Sequence, residues 1–324
     1  MPCGVCGSTM LLVNESDVLA VIRERVQTTD PRVLLGPGDD LAEVLVGDEA
    51  ASLLVGVDQV VDGLHVLAAR VSWDRIGGKA MRRALSDVAA MAGTPLASVA
   101  SVVLPPNALD TDIKALCKGL HETAAAFDAP LVGGDVAIHR LPDHPLSVSV
   151  TVLATPVPPG PVRRNGACDG DLLVVTGHLG GSLEDGGGGS HLDFTPRISE
   201  ALHLRELFGK GLHAMIDISD GLGRDAGRLA EAAGLQAHIE AEKLPRRPAA
   251  SIAAAMGDGE DYELLMAVAK DAEVPDSVPG DHGPCPLTVI GHFAPNPAGD
   301  DRRVVVFGED GQEDASECGW DHGQ

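Results

Sequence analysis

Between Thr155 and Val162 the chain reads Thr-Pro-Val-Pro-Pro-Gly-Pro-Val. No helix or sheet ladder runs through such a stretch, because each proline fixes one backbone angle and lacks an N–H. The break divides 324 residues into two units, 1–155 and 156–324, each large enough to bury its own core. In both units, strand-like runs alternate with helical periodicity. Helices are predicted over 14–27 (Val18, Ile22 and Val26 recur every four residues), 73–91, 112–127, 197–208, 222–233 and 249–256. Strands are predicted over 52–60, 97–104, 130–132, 146–154, 171–176, 215–218, 236–240, 262–269, 287–290 and 303–307. That alternation predicts two α/β or α+β domains.

Aromatic residues make up only 2% of the chain, so leucine, valine, isoleucine and alanine must carry the packing. A net charge of −24 argues against a nucleic-acid or anionic membrane surface, since both attract basic proteins. An anionic small ligand would then need a metal bridge. The six cysteines are scattered, as in a reducing compartment, and Cys3-x-x-Cys6 has no second pair at zinc-site spacing. No leader-like segment opens the chain, and no apolar run approaches the ~20 residues of a membrane span. A soluble, cytoplasmic protein is expected.

The turn Gly36-Pro37-Gly38-Asp39-Asp40 places two carboxylates side by side. Alone, it reads as an acidic surface loop. Further aspartates stand at the ends of apolar elements: Asp58 in VGVDQVVDGLH, Asp135 in LVGGDVA, and Asp217 with Asp220 in MIDISDGL. Asp87 shares a helix face with Ala80, Ala84 and Met91, where small neighbours admit a ligand; the competing reading pairs it with Arg83, four residues earlier. Oxygen-only donors on short turns select hard cations such as Mg²⁺, which points to phosphoryl transfer or phosphate hydrolysis. Familiar nucleotide loops are missing. Gly77-Gly78-Lys79-Ala80 lacks the first glycine and the hydroxyl residue of a P-loop, and neither G-x-G-x-x-G after a strand nor a Gly-x-Ser-x-Gly elbow occurs.

The segments GPGDD, DQVVDGLH, GGKAMRRALSDVAAMAGTP, LVGGD, RRNGACDGDLLVVTG, TPRI, MIDISDGLGRDAG, GDGEDYEL and GWDH occur in the order found in the thiamine-monophosphate kinase family, which the chain resembles from about Asp17 to His322. That family belongs with aminoimidazole-ribotide synthetase and selenophosphate synthetase. The resemblance implies a two-domain ATP-binding α/β fold whose N-terminal sheets pair across a homodimer into a barrel. It implies Mg²⁺ ions on Asp40, Asp58, Asp87, Asp135 and Asp217 and a further ion on Asp220, with Asp58, Asp87 and Asp135 at the centre of catalysis. Gly134, Asp135, Arg164 and Ser219 would contact ATP, and His65, Glu260 and Trp320 would contact thiamine monophosphate. The implied reaction moves the γ-phosphoryl group of ATP onto thiamine monophosphate. An acceptor phosphate with a second pKa of about 6 is largely dianionic at neutral pH and needs no strong base. Three departures stand out: Gly56 and Val57 where the family has hydroxyl residues, Ala84 where it has asparagine, and Val136-Ala137 where it has two threonines. They leave open a nucleotide-binding relative acting as a sensor or partner protein; a third reading, a different member of the superfamily, has Cys3 and Cys6 as its only support.

Overall fold

The computed structural model describes residues 15–25, 30–47, 51–141, 143–309 and 311–321. Cys3, Cys6, Asn14, Val26, Gln27 and His322 lie outside them.

Helix α1 (Glu15–Arg25) leads into β1 (Val33–Leu35), β2 (Ala42–Leu45) and β3 (Ser52–Val61), and these are followed by α2 (Trp73–Ala90), β4 (Gly93–Leu104), α3 (Asp110–Ala126), β5 (Leu131–Ile138) and β6 (Ser147–Pro156). The strands form one sheet in the order β1-β2-β3-β6-β4-β5, antiparallel except for the β4–β5 pair. Beyond the proline-rich break come β7 (Leu172–Thr176), α4 (Ile198–Phe208), β8 (Leu212–Asp217), α5 (Leu222–Ala233), β9 (Leu235–Glu240), α6 (Ile252–Gly257), β10 (Leu264–Val268), β11 (Ser277–Val278), β12 (Cys285–Pro295), β13 (Val304–Gly308) and β14 (Gly311–Asp314). They build a second mixed sheet, β14-β13-β9-β12-β7-β10-β8, with β11 on β12.

Strand periodicity decides which face of each sheet is buried. In β6, Val148, Val150, Val152 and Ala154 are buried, while Ser147, Ser149, Thr151 and Leu153 on the other face are half-buried. In β10 both faces are buried. Leu264, Met266 and Val268 join one apolar cluster; Leu265 and Ala267 join another, with Ile216, Leu229 and Phe293. The first cluster runs from Leu54 and Val150 of the first sheet, through Ala84, Leu85 and Val88 of α2, to Leu204, Met215 and Met266. Helix α2 is therefore the shared centre: Ile76, Met81, Ala84, Leu85, Val88 and Ala89 are buried in it although the helix also carries six charged residues. It lies close to α3: a Cβ on Gly119 would stand 1.8 Å from the Asp74 carbonyl oxygen, and one on Gly77 would stand 2.4 Å from that of Leu116. The glycines of the failed P-loop match thus serve helix packing. Among the described residues, no helix is long and apolar enough to cross a membrane.

Three expectations are corrected. β5 does not stop at 132 but continues through Gly133, Gly134 and Asp135, because its partner β4 supplies a ladder whatever the glycines' weak strand preference. The short strands β1, β2 and β14 were not anticipated. The helix expected over 249–256 begins only at Ile252, where the side chain of Ser251 accepts the Ala254 N–H.

Candidate active site

The carboxylates arrive from four directions. Asp40 closes the turn after β1, Asp58 lies on β3, Asp87 on the last turns of α2, and Asp217 ends β8. Ligand oxygens of Asp40, Asp87 and Asp217 all lie within 4.8 Å of one another. These three line a cavity of about 250 Å³ together with Asp58, Arg83, Arg164, Ser219, Asp220 and Arg228. Burial, with repulsion from Asp217, Asp58 and Asp40, pushes the Asp87 pKa well above the carboxylate range. Burial and the charge of Asp40 do the same to Asp217, against the Ser86 hydroxyl that donates to it at 2.6 Å. Crowded, buried oxygens that resist ionisation suit a hard divalent cation.

Arginines sit on Asp40 of this cluster and on the aspartates around it. Arg164 grips Asp40, Nε to Oδ2 at 3.1 Å and Nη2 to Oδ1 at 2.5 Å. Arg228 pairs with Asp220 and, at 2.6 Å, with Asp225. Asp225, buried near the start of α5, accepts the backbone N–H groups of Ser219, Asp220 and Gly221 at 3.1–3.2 Å and so shapes that loop. Arg83 donates from Nε and Nη2 to Asp58 at 2.8 and 3.1 Å, and from Nη1 to Glu260 at 3.2 Å. The i, i+4 pairing of Arg83 with Asp87 is therefore overturned. Arg83 turns towards two carboxylates that are distant in sequence, which helical spacing cannot reveal.

A second cavity, of about 80 Å³, is lined by His65, Glu260, Trp320, Leu64 and Leu183, and it shares Arg83, Ser219 and Asp220 with the first. The indole Nε1 of Trp320 donates to the Asp258 carbonyl at 2.7 Å, which fixes a ring that is 52% exposed. His65 accepts the Val61 N–H at Nδ1. Glu260 is held from below by Lys79, whose fully buried Nζ lies 2.7 Å from Oε1 and also donates to the His65 carbonyl at 2.8 Å. His191 Nδ1 stands 2.9 Å from Glu260 Oε2. Burial disfavours the Glu260 carboxylate, but His191, Lys79 and Arg83 outweigh it and hold the pKa at about 2. Burial lowers the Lys79 pKa to about 8. The residue Glu260 itself has φ +50°, an uncommon conformation outside glycine, kept by its N–H bond to the Ser219 carbonyl at 2.7 Å.

Gly134 and Asp135 line neither cavity. They lie on exposed β5 at the sheet edge, beside Val132, Val136 and Ile138, which are 65%, 65% and 66% exposed. Lys79, Arg83, His191, Asp225 and Arg228 were not singled out from sequence as site residues. Lys79 and Arg83 on one helix face, and the DGLGRDAGR run, are the signals that could have pointed to them.

Residues 38–155 match the N-terminal domain of AIR synthase related proteins and residues 169–299 match the C-terminal domain. Thiamine-monophosphate kinase of Rhodopirellula baltica is 35% identical over 273 residues, covering 79% of this chain and 83% of its own. The enzyme of that name from Mycobacterium tuberculosis is 32% identical over 304 residues, covering 89% and 85%. A solved structure described as AaThiL complexed with AMPPCP and TMP superposes with a TM-score of 0.77 at 26% identity, over 95% of this chain and 97% of that one. With the two-domain architecture, the converging aspartates and these relatives taken together, the chain belongs to the thiamine-monophosphate kinase family.

Proposed function

We propose that the protein transfers the γ-phosphoryl group of ATP to the phosphate of thiamine monophosphate, giving thiamine diphosphate and ADP. The observation that carries this is the pair of adjoining cavities: one with crowded carboxylates, one with an exposed indole, an imidazole and a clamped glutamate, and a common wall of Arg83, Ser219 and Asp220. Two phosphates brought in from either side would meet at that wall. Asp40, Asp58, Asp87 and Asp217 would hold Mg²⁺ and Asp220 a further ion; the bound metal would neutralise nucleotide phosphate charge. Arg164 and Ser219 line the nucleotide side. His65 and Glu260 would orient the thiamine moiety, and the Trp320 face would attract its permanent thiazolium cation. The reaction then needs positioning and charge neutralisation rather than a strong base.

Residues 1–155 and 156–324 are proposed as the two domains, with the first also pairing two copies. The exposed apolar row on β5 and Val57 on β3, 64% exposed, favour a second sheet as cover, closing a barrel across a cytoplasmic homodimer and bringing Gly134 and Asp135 into a site at the interface. The sensor reading draws on Gly56 and Val57, which add no side-chain oxygen beside Asp58, and on Ala84. A coupled assay of ADP release with ATP and Mg²⁺, run with and without thiamine monophosphate, separates the two. Release that depends on thiamine monophosphate supports the kinase; ATP binding with no release supports the sensor.

A further inference from the structure

Arg83 is the basic side chain common to the linings of both cavities. Its side chain is 13% exposed, and its guanidinium is already aimed: three of its five N–H donors go to Asp58 and Glu260. Among the described residues its hydrogen bonds are these three, so two N–H groups are left over for a ligand. A guanidinium stays protonated at any working pH. Of the groups lining the acceptor cavity, Glu260 and Asp220 are acidic, and His65 and Arg83 are the ones able to carry positive charge. A dianionic phosphate entering a chain of net charge −24 needs such a cation.

We propose that Arg83 is a further catalytic residue, contacting the acceptor phosphate at the boundary between the two cavities. As an acceptor oxygen bonds to the γ-phosphorus of ATP, the bond from that phosphorus to the β-bridging oxygen breaks and ADP leaves. Arg83 holds the negative charge shared among these oxygens and neither gains nor loses a proton. The planar fork suits a phosphate edge better than an ammonium does. Because the guanidinium also ties β3 and α2 to the 257–261 turn, its catalytic role must be told apart from scaffolding. The inference rests on the kinase reading.

The test uses Arg83→Met and Arg83→Lys in the full chain. Steady-state rates are measured at saturating Mg²⁺, and calorimetric binding of thiamine monophosphate and of unphosphorylated thiamine is measured with a chelator present. Arg83→Met is expected to lower kcat about a hundredfold or more, as loss of a donor to developing charge does, with KM for ATP nearly unchanged. Its preference for thiamine monophosphate over thiamine should fall about tenfold, the scale of a lost charge-assisted bond to phosphate. Arg83→Lys should fall between parent and Arg83→Met, and added guanidinium should restore part of the Arg83→Met rate. Parental kcat overturns the proposal. So does a parental binding ratio, or a loss of rate that guanidinium does not relieve, since either assigns Arg83 to scaffolding. If Arg83→Met does not fold, the binding ratio of Arg83→Lys decides. Should the parent itself fail to phosphorylate thiamine monophosphate, the kinase reading falls while the binding ratio still reports on Arg83.

Discussion

Asp87 is half-buried among other carboxylates, and its substitution should separate stability from catalysis. Asp87→Asn keeps the shape and removes a charge, so kcat should drop about a hundredfold or more. The metal-free variant should melt higher than the metal-free parent. The sign follows from proton binding: the folded pKa of Asp87 is raised, so the unfolded chain, with carboxylates near pH 4, holds fewer protons than the native one over the interval between them. Stability in the parent is therefore lost as pH rises from about 4 through the raised pKa. The gap in melting temperature should widen from pH 5 to pH 8 and shrink with Mg²⁺; a variant that melts lower at pH 8 would refute the argument. Trp320→Ala should raise KM for thiamine monophosphate several-fold, spare KM for ATP and barely change the melting temperature, because the ring is half exposed. Equal losses for both substrates would make Trp320 a packing residue. Asp40 and Asp217, which the structure brings together with Asp87, stood out in the sequence because acids at the ends of apolar elements are anomalous without a cation; Asp135, read the same way, lines neither cavity. Arg83 did not stand out, since a long side chain chooses its partner through the fold, here Glu260 at a sequence separation of 177 residues.

At the scale of elements, α2 was read within one residue at its end from helical periodicity, and α5 at both ends because Gly234 also stops its periodic run. β5 was cut short because two glycines hide a strand that is specified by its neighbour. Helix α2 also carries Lys79, whose ammonium is fully buried against Glu260 and His191. Lys79→Met should destabilise the protein by about 1–3 kcal/mol, the cost of a lost charged hydrogen bond, because Glu260 keeps Arg83 and His191 as partners. It should also raise KM for thiamine monophosphate, since Glu260 loses the partner that sets its position. Chemical denaturation beside steady-state kinetics gives both numbers. Normal stability with normal KM would show that Arg83 and His191 hold Glu260 without Lys79.

For the whole molecule, the exposed row on β5 predicts a particle of twice the 33.4 kDa monomer mass in light scattering. Ile138→Asp should shift it to the monomer, because a charge cannot be buried in a barrel wall without a partner. A parent that stays monomeric at micromolar concentration would remove the barrel. The apolar cluster that passes through α2 from Leu54 to Met266 was not legible, because packing between distant segments leaves no local periodicity. That shared cluster has a calorimetric consequence. With α2 wedged between both sheets, neither sheet can shed its apolar cover without stripping the other, so heat should unfold the chain in one transition whose van't Hoff and calorimetric enthalpies agree for each cooperative unit. Two resolved peaks would mean that α2 stays with one sheet when the other melts, and that the nucleotide and acceptor cavities come apart before the polypeptide does.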